Sequence, residues 1–212
     1  MSAEAVSADA VNAGLAILIP AAGASRRMRG RDKLLEPVAG GIPLLAERIA
    51  CARATGAPVL VALPPRAQAP ARWQAAQDGQ RIEVAGSAGM GHSIAALARA
   101  LPEAAKGALI LPADMPDIDL SDLKAMAQAF DAKHVLRATS SDGRHGHPVI
   151  FPRAMFARLK ALSGDQGARA LLSGAPTRLV ALPGEHALTD LDTPEAWAAW
   201  RARQQGGSPP PR

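Results

Sequence analysis

The chain has 212 residues, 48% of them hydrophobic, which is enough for one domain with an apolar core and no disulfide or metal staple. Its single cysteine, Cys51, excludes an internal disulfide and fits a reducing, cytoplasmic setting; it lies in an apolar helical pattern and reads as buried filler. The net charge of +5 comes with only three Trp, three Phe and no Tyr, and with Lys and Arg spread rather than blocked, which argues against nucleic acid and for a small polyanionic substrate.

Residues 1–13 are small and polar without a period and read as a flexible arm. The run Gly14 to Ala24 has no basic stretch before it and is not a signal peptide. No apolar run reaches the roughly 18 residues of a membrane span, so no membrane partner is expected. From residue 14 to 203 the chain alternates as one domain. Short apolar runs at Leu15–Ile19, Pro58–Leu63, Arg81–Val84, Gly107–Leu111, His134–Ala138 and Thr177–Leu182 read as buried parallel strands, with a short extra strand at Pro148–Phe151. Helical patterns fall between and after them at Leu44–Ala54, Ala71–Gln77, Ser93–Leu101, Leu120–Phe130, Arg153–Leu162, Asp165–Leu172 and Pro194–Arg203. Residues 204–212 are rich in Gln, Gly, Ser and Pro and read as a disordered tail. Strand and helix in alternation give an α/β fold, a three-layer α/β/α arrangement around a mostly parallel sheet. Such sheets take ligands beyond the carboxyl ends of their strands, so those ends carry the chemistry.

The first strand runs into Pro20-Ala21-Ala22-Gly23-Ala24-Ser25 and then Arg26, Arg27, Arg29, Arg31 and Lys33. Small residues let backbone N–H groups approach phosphate oxygens, and the cations add charge in the same loop. The loop is neither a Walker A nor a GxGxxG sequence, and a plain basic surface loop has the same composition. Asp114, in Leu111-Pro112-Ala113-Asp114-Met115-Pro116, ends the fourth strand and is placed for Mg²⁺ or for a turn cap. Asp190 and Asp192 are two apart and share a face if extended; Asp192 or Thr193 caps the helix that Pro194 begins. The turn Gly86–Ser93 suits a base and ribose, or simple flexibility. Gly143–Pro148 carries His145 and His147 and reads equally as an acceptor loop or a hairpin. Asp165 caps the next helical pattern, and Arg169 reaches an acceptor phosphate or stays solvated.

In this order the pieces resemble the molybdenum-cofactor nucleotidyltransferases, closest to the cytidylyltransferase branch. The carriers are Ala21–Met28, Asp32-Lys33-Leu34-Leu35, Gly89-Met90 with Ser93, Leu111–Pro116, Gly146–Phe151, Gly164–Arg169 and Asp190–Glu195. The resemblance implies a Rossmann-like nucleotidyltransferase sheet. It implies a nucleotide site at Ala21, Ala22, Gly23, Ala24, Ser25, Arg27, Lys33, Leu63, Gly89, Met90, Ser93, Pro112 and Asp114. Lys33, Arg27 and Asp114 would be catalytic. Asp114, Asp190 and Asp192 would hold Mg²⁺, and His147, Pro148 and Arg169 would meet the acceptor. The substrates implied are a nucleoside triphosphate and a small phosphorylated acceptor such as molybdopterin, with a molybdoenzyme or its accessory protein as partner. Ala22-Gly23 replaces the Gly-Gly usual in the guanylyl branch, which favours CTP over GTP. Two positions depart from the pattern: Arg29 stands where the family usually has Gly, and Gly91 where it often has Ser. A non-catalytic cofactor-holding module would use the same loops. A nicotinamide-dependent oxidoreductase is disfavoured, since the chain has no tyrosine and the loop has cations where dinucleotide sites have glycines.

Overall fold

The computed structural model describes residues 14–85, 89–165 and 167–206. The expected arm at 1–13, residues 86–88 of the glycine-rich turn, Gln166 and residues 207–212 of the expected tail lie outside the described residues.

Strand β1 (Leu15–Pro20) is buried along its whole length. Its alternation explains why: Leu15, Ile17 and Ile19 enter one apolar core, and Ala16 and Leu18 enter another on the opposite face. The remaining strands are β2 (Val59–Leu63), β3 (Gln80–Glu83), β4 (Gly107–Ile110), β5 (Val135–Thr139), β6 (His145–Pro152) and β7 (Thr177–Ala181). They form one sheet in the order β3-β2-β1-β4-β6-β5-β7. Ile17 lies opposite Val59 on one side and Leu109 on the other.

Every pairing is parallel except those of β6, which runs antiparallel to both β4 and β5. The expected extra strand at Pro148–Phe151 is longer than anticipated. It starts at His145, so His145 and His147 belong to a strand rather than to a loop. That hairpin closes on the turn after β5, where the Ser140 N–H donates to the Arg144 carbonyl at 2.9 Å.

The helices are α1 (Leu44–Arg53), α2 (Pro70–Ala75), α3 (Gly89–Arg99), α4 (Leu120–Ala129), α5 (Phe156–Lys160) and α6 (Pro194–Gln205). Leu45 and Ile49 of α1 and Leu123 and Met126 of α4 pack on one face of the sheet; Ile94 and Leu97 of α3 and Leu159 of α5 pack on the other. Helix α3 begins at Gly89, ahead of the expected Ser93, and α6 continues to Gln205, beyond the expected Arg203. The expected helix at Asp165–Leu172 is a short 3-10 stretch at Gly167–Leu171. The one at Arg153–Leu162 divides into a 3-10 turn at Arg153–Met155 and α5. No helix among the described residues is long and apolar enough to cross a membrane.

A third apolar cluster unites Met28, Leu44, Leu191, Trp197 and Trp200. Burying a side chain of Leu or Met size stabilises by roughly 1.5–3 kcal/mol, so this cluster anchors α6 and its approach against the loop after β1. Both tryptophans are core residues, set edge to face at 5.8 Å. Strands β1, β2 and β3 step to one side while β4 lies on the other side of β1, so the strand order reverses between β1 and β4. A crevice opens there, at the carboxyl ends.

Candidate active site

The crevice holds a cavity of about 600 Å³. Pro20 and Lys33 line it from the first loop, and Pro112, Ala113 and Asp114 from the end of β4. Asp190 lines it from the approach to α6, and Arg137, His145, His147 and Arg169 from the far side. A smaller cavity of about 280 Å³ adjoins it, between Ala22, Gly23, Ala24 and Arg26 of the loop and Gly89, Met90 and Ser93 of α3.

At the centre, the Lys33 ammonium lies 2.5 Å from a carboxylate oxygen of Asp114 and 2.5 Å from one of Asp192. Burial pulls the Lys33 pKa down, but the charge and hydrogen bond of Asp114, with those of Asp192, outweigh it and raise it above the ordinary lysine value. A backbone bond fixes this arrangement: the Leu191 N–H donates to the Asp114 carbonyl at 3.0 Å. Leu191 is buried in the third apolar cluster, and the acids on either side of it belong to the site. Thr193 alone caps α6, accepting from the Ala196 N–H at 3.2 Å, which leaves Asp192 for Lys33 and Arg27. Desolvation and the neighbouring charges of Asp192 and Asp114 raise the pKa of Asp190. Asp114 and Asp192 hold Lys33 between them with Asp190 nearby, so the three carboxylates offer oxygen ligands, but not as one compact group: among the described residues that closeness is found at Asp119, Asp122 and His186.

The loop after β1 is more constrained than its small residues suggest. Arg72 of α2, only 4% exposed, reaches beneath it. Its guanidinium donates to the Ala21 and Gly23 carbonyls at 2.7 Å each, to Ser25 Oγ at 3.1 Å, and to both oxygens of Asp32. Asp32 in turn accepts from the Leu34 N–H at 3.1 Å, so loop and following turn share one anchor. Arg48 of α1, also buried, donates to the carbonyls of Met115 and Ile118 and holds the turn beyond Asp114. Neither arginine is marked by any motif.

Most of the loop's charge is spent internally. Arg27 pairs with Asp192, Arg29 with Glu195 at 2.6 Å, and Arg31 with Glu36 at 3.3 Å. Arg26 lines the smaller cavity and has no carboxylate partner among the described residues. Arg29 adopts left-handed backbone, φ 53° and ψ 48°, which explains why glycine suits that position.

Across the cavity, Gly146 of β6 touches the turn at Ala187 so closely that a Cβ would sit 2.0 Å from the Ala187 carbonyl oxygen. The next N–H, of His147, donates to that same oxygen at 2.9 Å, which ties β6 to the segment carrying Asp190. His147 lines the cavity wall. Desolvation by that wall and the charge of Arg137 lower its pKa, with Asp114 opposing.

Several expected site residues do not reach the cavities. Leu63 is fully buried: it shares a face with Val59 and Val61 in the first core, as the period of a strand requires. Ser25 faces Asp32 and Arg72 rather than a cavity. Pro148 is buried behind His147. Arg27 and Asp192 do not line either cavity but are bound to the centre through their ion pairs. A second acidic group, Asp119, Asp122 and His186, has its ligand atoms close together. Asp119 and Asp122 form the capping box of α4, and His186 bonds Asp122 at 2.8 Å, so this cluster is accounted for by the helix start. Burial pushes the Cys51 thiol up to about 11, which matches its reading as filler.

The MobA-like NTP transferase domain model matches residues 17–181. The purine catabolism protein PucB of Bacillus subtilis is 34% identical over 114 residues, 51% of this chain and 54% of PucB; the chain thus spans about half the length of that relative. The crystal structure of Rv0371c from Mycobacterium tuberculosis superposes with a TM-score of 0.77 at 25% identity, covering 88% of this chain and 96% of that one. A complex of Rv0371c with manganese gives 0.73 at 25% identity, over 89% and 97% of the two chains. A nucleotidyl transferase from Methanothermobacter gives 0.74 at 17% identity, over 92% and 99%. The fold, the convergence of the loop after β1 with the acids of β4 and α6, and the family match over most of the chain agree: it belongs to the MobA-like NTP transferase family.

Proposed function

We propose that the protein transfers a nucleoside monophosphate from a nucleoside triphosphate to a small phosphorylated acceptor and releases pyrophosphate. The observation that carries this reading is Lys33 held between Asp114 and Asp192, because it joins three separated segments under the loop after β1. An acceptor phosphate oxygen attacks the α-phosphorus in line. The new P–O bond forms as the bond from the α-phosphorus to the bridging oxygen breaks, and pyrophosphate leaves with that electron pair. The attacking oxygen is already anionic, so the step needs no strong general base; its obstacles are charge repulsion and alignment.

Asp114, Asp190 and Asp192 are the residues that would hold Mg²⁺ or a cation of similar hardness, and the manganese complex of Rv0371c supports an ion of that kind. When bound, such an ion offsets the repulsion between the two anionic reactants. Lys33 and Arg27 stabilise charge on the departing pyrophosphate. The loop backbone at Ala21–Ser25 approaches the triphosphate, and Gly89, Met90 and Ser93 flank the base and ribose. Ala22 sets a methyl group against the smaller cavity, which favours CTP over GTP. Kinship with the molybdenum-cofactor branch suggests molybdopterin as the acceptor and a molybdoenzyme as the recipient.

Pyrophosphate release tests this directly, with four triphosphates screened against phosphorylated acceptors, with and without Mg²⁺. Release that requires the acceptor and the metal, strongest with CTP, is expected. Asp114→Ala should lower it by about 10²–10³ while the melting temperature holds. Near wild-type turnover in that variant at saturating Mg²⁺ would end the reading.

A further inference from the structure

We propose that Arg137 and Arg169 form an anion seat that takes the phosphate monoester of the acceptor; the identity of that occupant rests on the transfer reading above. Arg137 stands in the middle of β5, between β6 and β7, where an apolar residue is the ordinary choice. It follows Val135 by two and so shares its face, toward the core built by α3 and α5. Arg137 is only partly buried there and opens onto the larger cavity, so its charge is presented to whatever the cavity holds. Its one hydrogen bond among the described residues is a long one, 3.3 Å from Nε to the Gly146 carbonyl. Arg169 arrives from the 3-10 stretch Gly167–Leu171, and both arginines line the larger cavity.

Neither has a carboxylate partner among the described residues, a state they share with Arg26 of the smaller cavity, whereas Arg27, Arg29, Arg31, Arg48 and Arg72 are each ion-paired. Burial, and then the facing charge of Arg169, lower the pKa of Arg137. An anion between two such guanidinium groups removes their repulsion and accepts their forked N–H donors, a geometry that phosphate matches.

The cavity also contains carboxylates, Asp114, Asp165 and Asp190; Asp165 lies against Gly89 at the start of α3 and also lines the smaller cavity. Asp114 is bound by Lys33, and Asp190 sits beside it. His147 and Asp114 line the same cavity as the two arginines. A phosphate seated on the arginines thus has the reaction centre as its neighbour. Walls from Ile94, Phe151 and Leu172 are apolar, which suits an organic body attached to that phosphate. Taken with the transfer reading, the seat and these walls fit a small organic phosphate monoester.

The test uses inorganic phosphate and phenyl phosphate as probes on the intact chain, with binding followed through arginine side-chain NMR signals. Both probes should shift Arg137 and Arg169, with phenyl phosphate the tighter. Arg137→Gln and Arg169→Gln should each weaken phosphate by about tenfold, Arg137→Lys by less, and triphosphate affinity should stay within about twofold. Unchanged phosphate affinity in Arg137→Gln with a native melting temperature, or shifts confined to Arg26 and Lys33, overturns the seat. If Arg137→Gln melts early, Arg169→Gln decides alone, since Arg169 lies on an exposed short helix. Arginine-dependent phosphate binding without any nucleotidyl transfer would leave the seat standing and remove the reaction. Transfer with an unaltered acceptor KM in Arg137→Gln would do the reverse.

Discussion

The loop after β1 and the far wall of the larger cavity are both rich in cations, and they handle the charge in opposite ways. At the loop, Arg27, Arg29, Arg31 and Lys33 are each neutralised by a carboxylate, and Arg72 ties the backbone from below. At the far wall, Arg137 and Arg169 face one cavity without such partners among the described residues. Density of positive charge along a sequence is therefore a poor guide to where charge is available. Five cations in one short loop are mostly consumed in holding that loop and its acids in place. Beside Arg26, two isolated arginines more than thirty positions apart face a cavity without a carboxylate partner among the described residues.

The largest expected effect that probes this contrast comes from Arg72→Met. Removing it strands Asp32 and three loop oxygens, and loss of one partner from a buried ion pair typically costs about 3 kcal/mol. In a domain of this size the melting temperature should drop by about 10 °C, and the KM for triphosphate should rise while phosphate binding at Arg137 persists. A wild-type melting curve would show that the loop keeps its shape unaided and would dissolve the distinction.

The next effect lies at the opposite wall. A Cβ on Gly91 would meet the Ser163 carbonyl oxygen at 2.6 Å, and the Gly91 N–H donates to the Gly164 carbonyl at 2.8 Å. Gly91→Ser, which restores the residue common in the resembling family, should therefore destabilise by about 1–2 kcal/mol and push the segment leading to Arg169. Chemical denaturation measures it, and a gain in stability would show that the segment yields freely.

The smallest effect has the opposite sign. Arg29→Gly should stabilise by about 0.5–1 kcal/mol, because relief of the left-handed backbone outweighs loss of an exposed ion pair to Glu195. A shift of the urea midpoint to lower denaturant would mean that the Glu195 pair matters more than the strain.

The strand ends were legible in the sequence because small residues, an acid after β4 and a pair of acids before a Pro-started helix each have a local signature. The strand pattern also placed the sheet, since buried parallel strands such as β1 and β2 show as unbroken apolar runs; β3 and β7, expected to be buried as well, are largely exposed because they form the two edges of the sheet. What the sequence hid is non-local. Arg72 meets Asp32 across 40 residues, and its position in a short helix looks like any solvent-facing arginine. Arg137 looks like an interruption in a strand. Leu63 is the reverse case: kinship placed it in the nucleotide site, while its parity with Val59 and Val61 sends it inward. The direction of β6 was also hidden, because its apolar run reads the same whichever way the strand is laid.

The hydrogen bond from Leu191 to the Asp114 carbonyl bears on how the protein comes into being. All seven strands leave the ribosome before Asp190 and Asp192 do, so the sheet can close around an unfinished centre. A nascent chain paused at that stage would possess its basic loop and Asp114 yet lack Asp192, which pairs with Arg27 and bonds Lys33 a second time. The centre around Lys33 is thus completed late in biosynthesis, when the approach to α6 docks beside Asp114.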